Sequence, residues 1–307
     1  MATRIAIAGF GKIARDQHAP AIAASESFEL VAVVEPGGDP EIGVPWFSDH
    51  CDLLDAMAGK VDALAICTPP PMRPAIARDA LAAGLDILLE KPPAPTLKEA
   101  RAIVEHASKS DRIAYAAWHS RHAPAVEPAA RHLAGETPVR IEIRWCESVR
   151  KWHSGQDWVW EEGGFGVLDP GINALSILTA MLDCPLSIGT ATLSVPGNRV
   201  MPIAATARFV GVDGEAVFDW RQEEGEIWQI AVETHSGKTV EIADGGAALR
   251  IDGTHLPLGP VAEYRGVYER FAHAISERDA HTDLAPLELA IGILTMGRQN
   301  VIEPFEW

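Results

Sequence analysis

Apolar residues in the first third of the chain form short runs separated by longer stretches with helical spacing. The runs cover residues 5–8, 30–35, 64–68, 87–90 and 113–118, and the stretches between them include ARDALAAG and TLKEARAIVEHASK. Strands that alternate with helices imply right-handed crossovers and a parallel, doubly wound sheet. Such a sheet binds its ligands beyond the carboxyl ends of its strands.

The pattern changes after about residue 120. VRIEIRWC (139–146) alternates apolar and polar residues, and ATARFV, EAVFDW, WQIAVETH, TVEIAD and ALRIDG follow at short spacing. This predicts an α+β domain with a large, mostly antiparallel open sheet that buries one face. Helices are predicted after Asp169 and around YERFAHAISER and PLELAIGILTMG. Because 307 residues exceed one usual core, we predict two domains, 1–120 and 121–307, with a cleft between them.

The stretch AGFGKIARD (8–16) joins the first strand to a helix predicted from Lys12 to about Ala24. Gly9 can make the tight turn, Gly11 leaves room for a phosphate, and Ala14 allows close packing of helix and strand. The second strand ends at Glu35, about 20 residues further on, where a ribose-binding acid is expected. This spacing favours a dinucleotide site over the alternative, a structural glycine turn with a solvated Glu35.

Composition narrows the classes of partner. The chain has 26 Lys and Arg against 43 Asp and Glu, a net charge of −17, which disfavours nucleic acid and anionic membranes. Its four cysteines lack zinc-ligand spacing, so we expect free thiols in a reducing compartment and no metal site. There is no run of 18 apolar residues, and the first strand begins at once. We therefore expect a cytoplasmic protein without a signal peptide.

Two further stretches carry candidate chemistry. LLEKPP (88–93) places Lys91 at the carboxyl end of a predicted parallel strand, facing the expected nicotinamide position. GGFGVLDPGINALS (163–176) contains Asp169 followed by Pro170, a pair typical of a helix N-cap, and Asn173 lies one turn later. Asp169 is therefore either a catalytic acid–base group or only a helix cap.

The combination of G-x-G-x-x-A, TPP at 68–70, ALAAG…EKP and GG-G-x-x-D-x-G-x-N resembles the glucose–fructose oxidoreductase/inositol dehydrogenase family. The similarity covers essentially the whole chain and implies a two-domain NAD(P)-dependent enzyme with an N-terminal Rossmann domain. Within the family, GKIARDQHAPAI, KWHSGQDWVW and FGVLDPGINALSI resemble bacterial aldose 1-dehydrogenases. This resemblance implies oxidation of C1 of a pyranose, of the D-galactose, L-arabinose or D-fucose type, to the lactone.

The resemblance also implies that Lys91, Asp169 and Asn173 form the catalytic group. Many family members have histidine in place of Asn173, and an amide cannot accept a proton. Asp169 is then the simplest base, Lys91 stabilises the oxyanion as an ammonium group, and Asn173 holds the sugar. Lys91 is the alternative base, provided that burial favours its neutral form. Arg73, where the wider family often has histidine, receives no catalytic role.

The segment WCESVRKWHSGQDWVW holds four tryptophans in sixteen residues. Trp152 lies among polar residues, which suits a sugar whose C–H face covers an aromatic ring while its hydroxyls bind polar groups. We predict Trp145 and Trp160 to be packing residues. The predicted substrate contacts are Glu147, Trp152, His153, Trp228 and His119, the last with an interdomain structural role as its alternative.

The predicted cofactor is NAD, with NADP possible, because Glu35 repels a 2′-phosphate and PGGD follows it without a basic residue. Two other functions stay open at this point: oxidation of a ring hydroxyl of an inositol or another sugar derivative, and a non-catalytic sensor. An exposed antiparallel sheet face favours a homo-oligomer. The predicted cofactor-binding residues are Gly9, Phe10, Gly11, Lys12, Ile13, Glu35, Thr68, Pro69, Glu90 and Lys91.

Overall fold

The structure is a computed structural model that describes residues 2–307. By their internal contacts these residues form two compact units. The first unit comprises the described residues up to Trp118 together with Tyr264–Leu284, and the second comprises His119–Glu263 and Ala285–Trp307.

Within the described residues the strands number fifteen: β1 Thr3–Ala8, β2 Phe28–Val34, β3 Trp46–Phe47, β4 Ala63–Ile66, β5 Asp86–Glu90, β6 Ala114–Ala117, β7 Pro138–Cys146, β8 Ile188–Pro196, β9 Ala204–Phe209, β10 Ala216–Asp219, β11 Ile227–Thr234, β12 Thr239–Ala243, β13 Ala248–Ile251, β14 Thr254–Leu256 and β15 Gly297–Ile302. The α-helices are α1 Ala19–Ala23, α2 His50–Ala56, α3 Arg73–Ala82, α4 Leu97–Lys109, α5 Val126–Leu133, α6 Val149–Trp152, α7 Leu168–Met181, α8 Glu263–Glu277 and α9 Ala285–Met296.

The sheet of the first unit has six parallel strands in the order β3-β2-β1-β4-β5-β6. This confirms the predicted doubly wound Rossmann architecture, and the order is the one expected for two mononucleotide-binding halves. Its inner strands are almost fully buried, as strands covered by helices on both faces must be. The sequence pattern did not predict β3, because a two-residue strand shows no periodicity.

The helix after the glycine loop is irregular. A π-helical turn at Ala14–His18 precedes the regular turns of α1, and it places His18 inside the unit, fully buried. Such π-turns occur frequently at functional sites.

Helix α8 completes the core of the first unit although it follows strands β7 to β14 of the second sheet in sequence. Val267, Tyr268 and Phe271 on its apolar face pack in one cluster with Ile5 and Phe28. A division of the chain at residue 120 therefore separates this helix from the sheet whose core it completes. The helical periodicity of the segment predicts a buried face but does not specify which sheet covers that face.

The second unit contains a nine-stranded sheet in the order β14-β13-β12-β11-β7-β10-β9-β8-β15. It is mostly antiparallel, as predicted, but β10 pairs with β7 in parallel and β15 pairs with β8 in parallel. Helix α7 is buried along most of its length and packs with α9. The sequence analysis missed β8, β14 and β15.

Two further features of the described residues are the hydropathy of the helices and the state of the cysteines. None of the helices in residues 2–307 is long and apolar enough to cross a membrane. Cys51, Cys67, Cys146 and Cys184 are all free thiols.

Candidate active site

The glycine loop of the first unit presents bare backbone to one side. At Gly9, where φ is +86°, a Cβ atom would lie 2.8 Å from the backbone nitrogen of Thr68, so a side chain is sterically excluded. At Gly11 a Cβ atom would meet nothing within 4 Å, which leaves open space over the loop. This combination of a tight turn and an open second glycine fits a dinucleotide pyrophosphate.

Thr68, at the end of β4, lies directly against this loop. Its hydroxyl oxygen is buried and has no hydrogen-bond partner among residues 2–307. A buried hydroxyl normally finds a partner, so this orphaned group is a second indication that a polar ligand belongs here. Pro69, which follows, precedes the short 3₁₀ turn that leads into α3.

Glu35 follows the last residue of β2, and its carboxylate turns toward the glycine loop. One oxygen accepts the backbone N–H of Phe10 at 2.9 Å and the other accepts the N–H of Gly37 at 3.1 Å. These two bonds orient the carboxylate at the place where the ribose hydroxyls of a dinucleotide would bind.

A cavity of about 690 Å³ opens between the glycine loop and the segment after β2. The sequence analysis missed Arg15, which lies one turn after Gly11 and places its guanidinium 5.7 Å from the centre of the Phe10 ring. Lys12 and Ile13 are exposed on the same turn, and Lys12 pairs with Asp16. The cavity is lined by Phe10, Arg15, Ala19, Pro20, Ala23, Asp39, Pro40, Glu41 and Ile42.

The backbone around Lys91 is held by Arg73, which the sequence analysis left without a role. Arg73 is 4% exposed, and its guanidinium donates to the carbonyl oxygens of Glu90 and Pro92 and, at 2.7 Å, to that of Thr68. Its position just after the TPP segment was the only signal available in the sequence. Arg73 therefore ties the end of β4 to the end of β5, on both sides of the half-buried Lys91.

The side chain of Glu90 is buried in a polar cluster inside the first unit. Tyr264 donates its hydroxyl to one oxygen of Glu90, and His18 places Nε2 3.4 Å from that oxygen and Nδ1 2.9 Å from the hydroxyl of Tyr268. Burial opposes a charged imidazole, but Cys67 and Glu90 outweigh it and raise the pKa of His18 to about 9. The predicted cofactor residue Glu90 thus faces protein groups of its own unit.

In the second unit, α7 carries two of the predicted catalytic residues. It begins at Leu168 after Val167, so Asp169 lies in its first turn and the reading of Asp169 as the N-cap is wrong. The preceding backbone makes a tight turn, with positive φ at Phe165 and Gly166, and the helix starts two residues earlier than an N-cap at Asp169 predicts. Asp169 is 4% exposed, and Asn173 is half-buried one turn later.

His153 lies beside the Asp169 carboxylate, with Nε2 3.7 Å from Oδ2. Its Nδ1 is 3.3 Å from the amide oxygen of Gln156, and its ring lies 5.1 Å from that of the buried Trp220. The sequence analysis predicted His153 as a substrate contact and Asp169 as a catalytic residue, but it did not predict that the two lie together.

Glu147 and three tryptophans form a second group in this unit. Trp228 donates its indole N–H to the buried Glu147 carboxylate at 2.8 Å. The Trp228 ring stacks on Trp145 at 5.9 Å and contacts Trp152 at 5.8 Å. Trp145 is buried, whereas Trp152 is 42% exposed. The exposed Trp152 ring donates its indole N–H to Glu226 at 3.3 Å, and an exposed aromatic ring with polar neighbours is the arrangement expected for a sugar contact.

His119 pairs with Glu263, with Nδ1 2.5 Å from Oε2. Trp160 is buried and packs on Trp220 and Phe305, consistent with the packing role expected of it.

Comparison with known proteins identifies the family. Residues 3–117 match the oxidoreductase family with an NAD-binding Rossmann fold. The chain is 41% identical to a galactose 1-dehydrogenase from Pseudomonas fluorescens over 98% of each chain. It matches the crystal structure of a D-galactose 1-dehydrogenase from Rhizobium etli with a TM-score of 0.91 and 42% identity, over 99% of this chain and 98% of the other.

A more distant match extends the likeness in fold alone. A 3-ketoreductase from Actinomadura kijaniata, solved with NADP, matches with a TM-score of 0.84 at 16% identity, over 98% of this chain and 100% of the other. The chain belongs to the oxidoreductase family with an NAD-binding Rossmann fold that residues 3–117 match. The family resemblance inferred from the sequence motifs is therefore confirmed.

Proposed function

We propose that the protein is an NAD(P)-dependent aldose 1-dehydrogenase that oxidises C1 of a pyranose of the D-galactose, L-arabinose or D-fucose type to the lactone. The observation that carries this proposal is the group in the second unit in which the exposed Trp152 contacts Trp228, whose indole N–H donates to the buried Glu147. The high identity to a galactose 1-dehydrogenase supports the same substrate class.

We assign cofactor binding to the first unit. The glycine loop, the orphaned Thr68 hydroxyl and the Glu35 carboxylate fit a dinucleotide, and we propose NAD as the preferred one. The chemistry that a bound nicotinamide would supply is acceptance of a hydride. Arg73 binds the backbone carbonyls on both sides of Lys91 and so restricts the backbone position from which the Lys91 side chain extends.

The protein groups have separate tasks at the sugar. The C1 hydroxyl must lose its proton as C1 loses a hydride, so negative charge develops on that oxygen unless it is balanced. We assign the stabilisation of this charge to Lys91 and the holding of the sugar hydroxyls to Asn173, whose amide both donates and accepts. We assign receipt of the proton to the carboxylate of Asp169, beside which His153 lies.

The substrate contacts complete the proposal. Trp152 covers an apolar face of the pyranose, Glu147 accepts its hydroxyls, Trp228 contributes a ring contact and orients Glu147, and His119 contributes a further polar contact. D-Galactose, D-fucose and L-arabinose share their ring configuration and differ only at the C5 substituent. A site that binds C1 to C4 should therefore accept all three.

A sugar panel tests the assignment. The purified protein is mixed with NAD and with D-galactose, L-arabinose, D-fucose, D-glucose or myo-inositol, and the reduced-nicotinamide absorbance is followed. We expect turnover with the first three sugars and a lactone as product. Turnover of myo-inositol alone would favour a ring-hydroxyl dehydrogenase, and nucleotide binding without any turnover would favour a sensor.

The cellular setting is part of the proposal. Four free thiols support a reducing, cytoplasmic location, and the broad antiparallel sheet supports a homo-oligomer.

A further inference from the structure

The pairing of His153 with Asp169 answers a question that the sequence raises. Asn173 lies one turn after Asp169 on α7, and its amide cannot accept a proton. The structure brings an imidazole to the Asp169 carboxylate from a different element, the end of α6, with 3.7 Å between Nε2 and Oδ2. The inference that follows rests on the proposed sugar oxidation.

Three contacts hold the His153 ring in one orientation. Its backbone N–H donates to the carbonyl of Val149 at 2.8 Å, and the Trp220 ring lies against its face. Nδ1 lies 3.3 Å from the Gln156 amide oxygen, to which it can only donate. In the neutral ring this leaves the lone pair on Nε2, the nitrogen on the side of Asp169.

The separation of Nε2 and Oδ2 leaves room for a hydroxyl oxygen. At 3.7 Å the two atoms are too far apart for a direct hydrogen bond. A hydroxyl oxygen between them can nevertheless lie about 2.8 Å from Nε2, the usual length of such a bond, and donate its single hydrogen to that nitrogen. The carboxylate of Asp169 then flanks the C1 hydroxyl of the sugar without accepting its hydrogen.

We propose that His153 is the general base and that Asp169 stabilises its imidazolium form. The O–H bond of the C1 hydroxyl breaks and the proton joins Nε2. The C1–H electron pair leaves as hydride to the nicotinamide, and the electrons of the O–H bond form the second C1–O bond of the lactone. Asp169 stays a carboxylate throughout, and the proton later passes from His153 to solvent.

Basicity favours the imidazole over the carboxylate as the acceptor. An ordinary aspartic acid titrates near pH 3.9 and an ordinary histidine near 6.5, so the ring is the stronger base at neutral pH. A carboxylate within about 4–6 Å further favours a protonated imidazole. Gln156 and Trp220, which contact the ring from within this unit, carry no charge.

The test measures kcat and KM from pH 5 to 10 with D-galactose and saturating NAD, for the wild type, His153→Asn, Asp169→Asn and the control His255→Asn, which changes an exposed histidine. The wild type should lose kcat on the acidic side. His153→Asn should lower kcat by about 10²–10³-fold, with a smaller change in KM, and should abolish the acidic limb. Asp169→Asn should move that limb to lower pH, because the neutral amide no longer favours the imidazolium.

A rescue experiment gives a second readout. His153→Ala should recover part of its kcat when free imidazole is added, whereas buffer of equal ionic strength should restore nothing. Bound NADH, followed by its fluorescence, reports that each variant keeps its nucleotide unit.

Two results would overturn the inference: His153→Asn with an unchanged acidic limb and kcat within tenfold of wild type, or a rise in KM with kcat intact. The former would return the base to Asp169 or Lys91, and the latter would leave His153 as a sugar contact only. The wild type is assayed alongside the variants. If the proposed function itself is wrong, the wild type will not turn over sugar, and this result differs from both of the results above.

Discussion

The carboxylate of Glu35 accepts the backbone N–H of Phe10 inside the glycine loop, with 2.9 Å between Oε2 and N. This bond joins the end of the second strand to the turn after the first, and it directs the acid toward the loop and not toward solvent. A carboxylate in this position can accept hydrogen bonds from both ribose hydroxyls of NAD but repels the 2′-phosphate of NADP.

We expect a preference for NAD over NADP of at least tenfold in kcat/KM, which corresponds to about 1.4 kcal/mol. Asp39 and Glu41 line the neighbouring cavity and add negative charge, whereas Arg15 is the basic residue of its lining. Steady-state kinetics with each cofactor at saturating sugar measure the ratio. Equal efficiencies, or a preference for NADP, would remove Glu35 as the ribose ligand.

Matched variants separate the contributions to this preference. Glu35→Ser should reduce the NAD:NADP ratio by about tenfold or more, because it removes the carboxylate that faces the loop. Glu41→Gln, in the same cavity wall, should change the ratio less, since the residue is exposed and its charge is screened by solvent. Arg15→Gln should weaken NADP more than NAD.

Replacement of Asp169 by alanine should remove almost all turnover and leave reduced cofactor bound. The reason is that Asp169 lies in the second unit and acts on the sugar, whereas the nucleotide groups belong to the first. NADH fluorescence titration together with initial rates checks both parts. If cofactor affinity fell together with turnover, the role of Asp169 would be structural.

Trp152→Ala should raise KM for the sugar more than it lowers kcat, because a stacking contact is present in both the ground state and the transition state. Trp307→Ala is the matched control, since Trp307 is 40% exposed and Trp152 is 42% exposed. The control should leave KM for the sugar unchanged. An unchanged KM in Trp152→Ala would exclude that ring from the sugar site.

Arg73→Met should lower the free energy of unfolding by about 3 kcal/mol, because it strips buried carbonyl groups of a charged donor. Arg73→Lys keeps the charge but loses the planar fork, and we expect it to lower kcat more than it raises KM, since the backbone around Lys91 loosens. Urea unfolding and steady-state kinetics measure the two effects. Arg78→Lys, on the exposed face of the same helix, is the control and should change neither. Wild-type kcat in Arg73→Lys would show that the bridge is not needed for catalysis.

His18 should make the protein less stable as the pH rises. Its pKa in the folded state is about 9, above the ordinary value of about 6.5, so the folded state binds more protons between these values. The contribution is fully present below about pH 6.5 and is lost as the pH passes through about 9, a decrease of up to about 3 kcal/mol.

The comparison with His18→Gln isolates this effect. Urea unfolding at intervals between pH 6 and 9.5 should give a falling free energy for the wild type and a flatter line for the variant. Burial raises the pKa of Tyr268 above its usual value, so this partner stays a neutral hydroxyl across the range. Parallel lines for the two proteins would show that His18 is neutral in the folded state.

The sequence by itself determined the fold class and the family. Strand–helix alternation in the first third and short alternating strands later predicted a parallel and a mostly antiparallel sheet, and both are present. The glycine spacing and the longer motifs predicted the oxidoreductase family, which the comparisons confirm. These features can be predicted from the sequence because periodicity, turn chemistry and motif spacing are local properties of the chain.

Only the tertiary structure decided which side chains meet. His153 reaches Asp169 from the end of α6, and His18 reaches Glu90 across 72 residues. Tyr264 belongs to the first unit although strands β7 to β14 of the second sheet precede it. The sequence analysis singled out His153, Asp169 and Glu90 but not His18 or Tyr264, and it predicted none of these pairs. Hydrophobic periodicity states that a face is buried and leaves its partner open, because the partner depends on how separate elements pack in space.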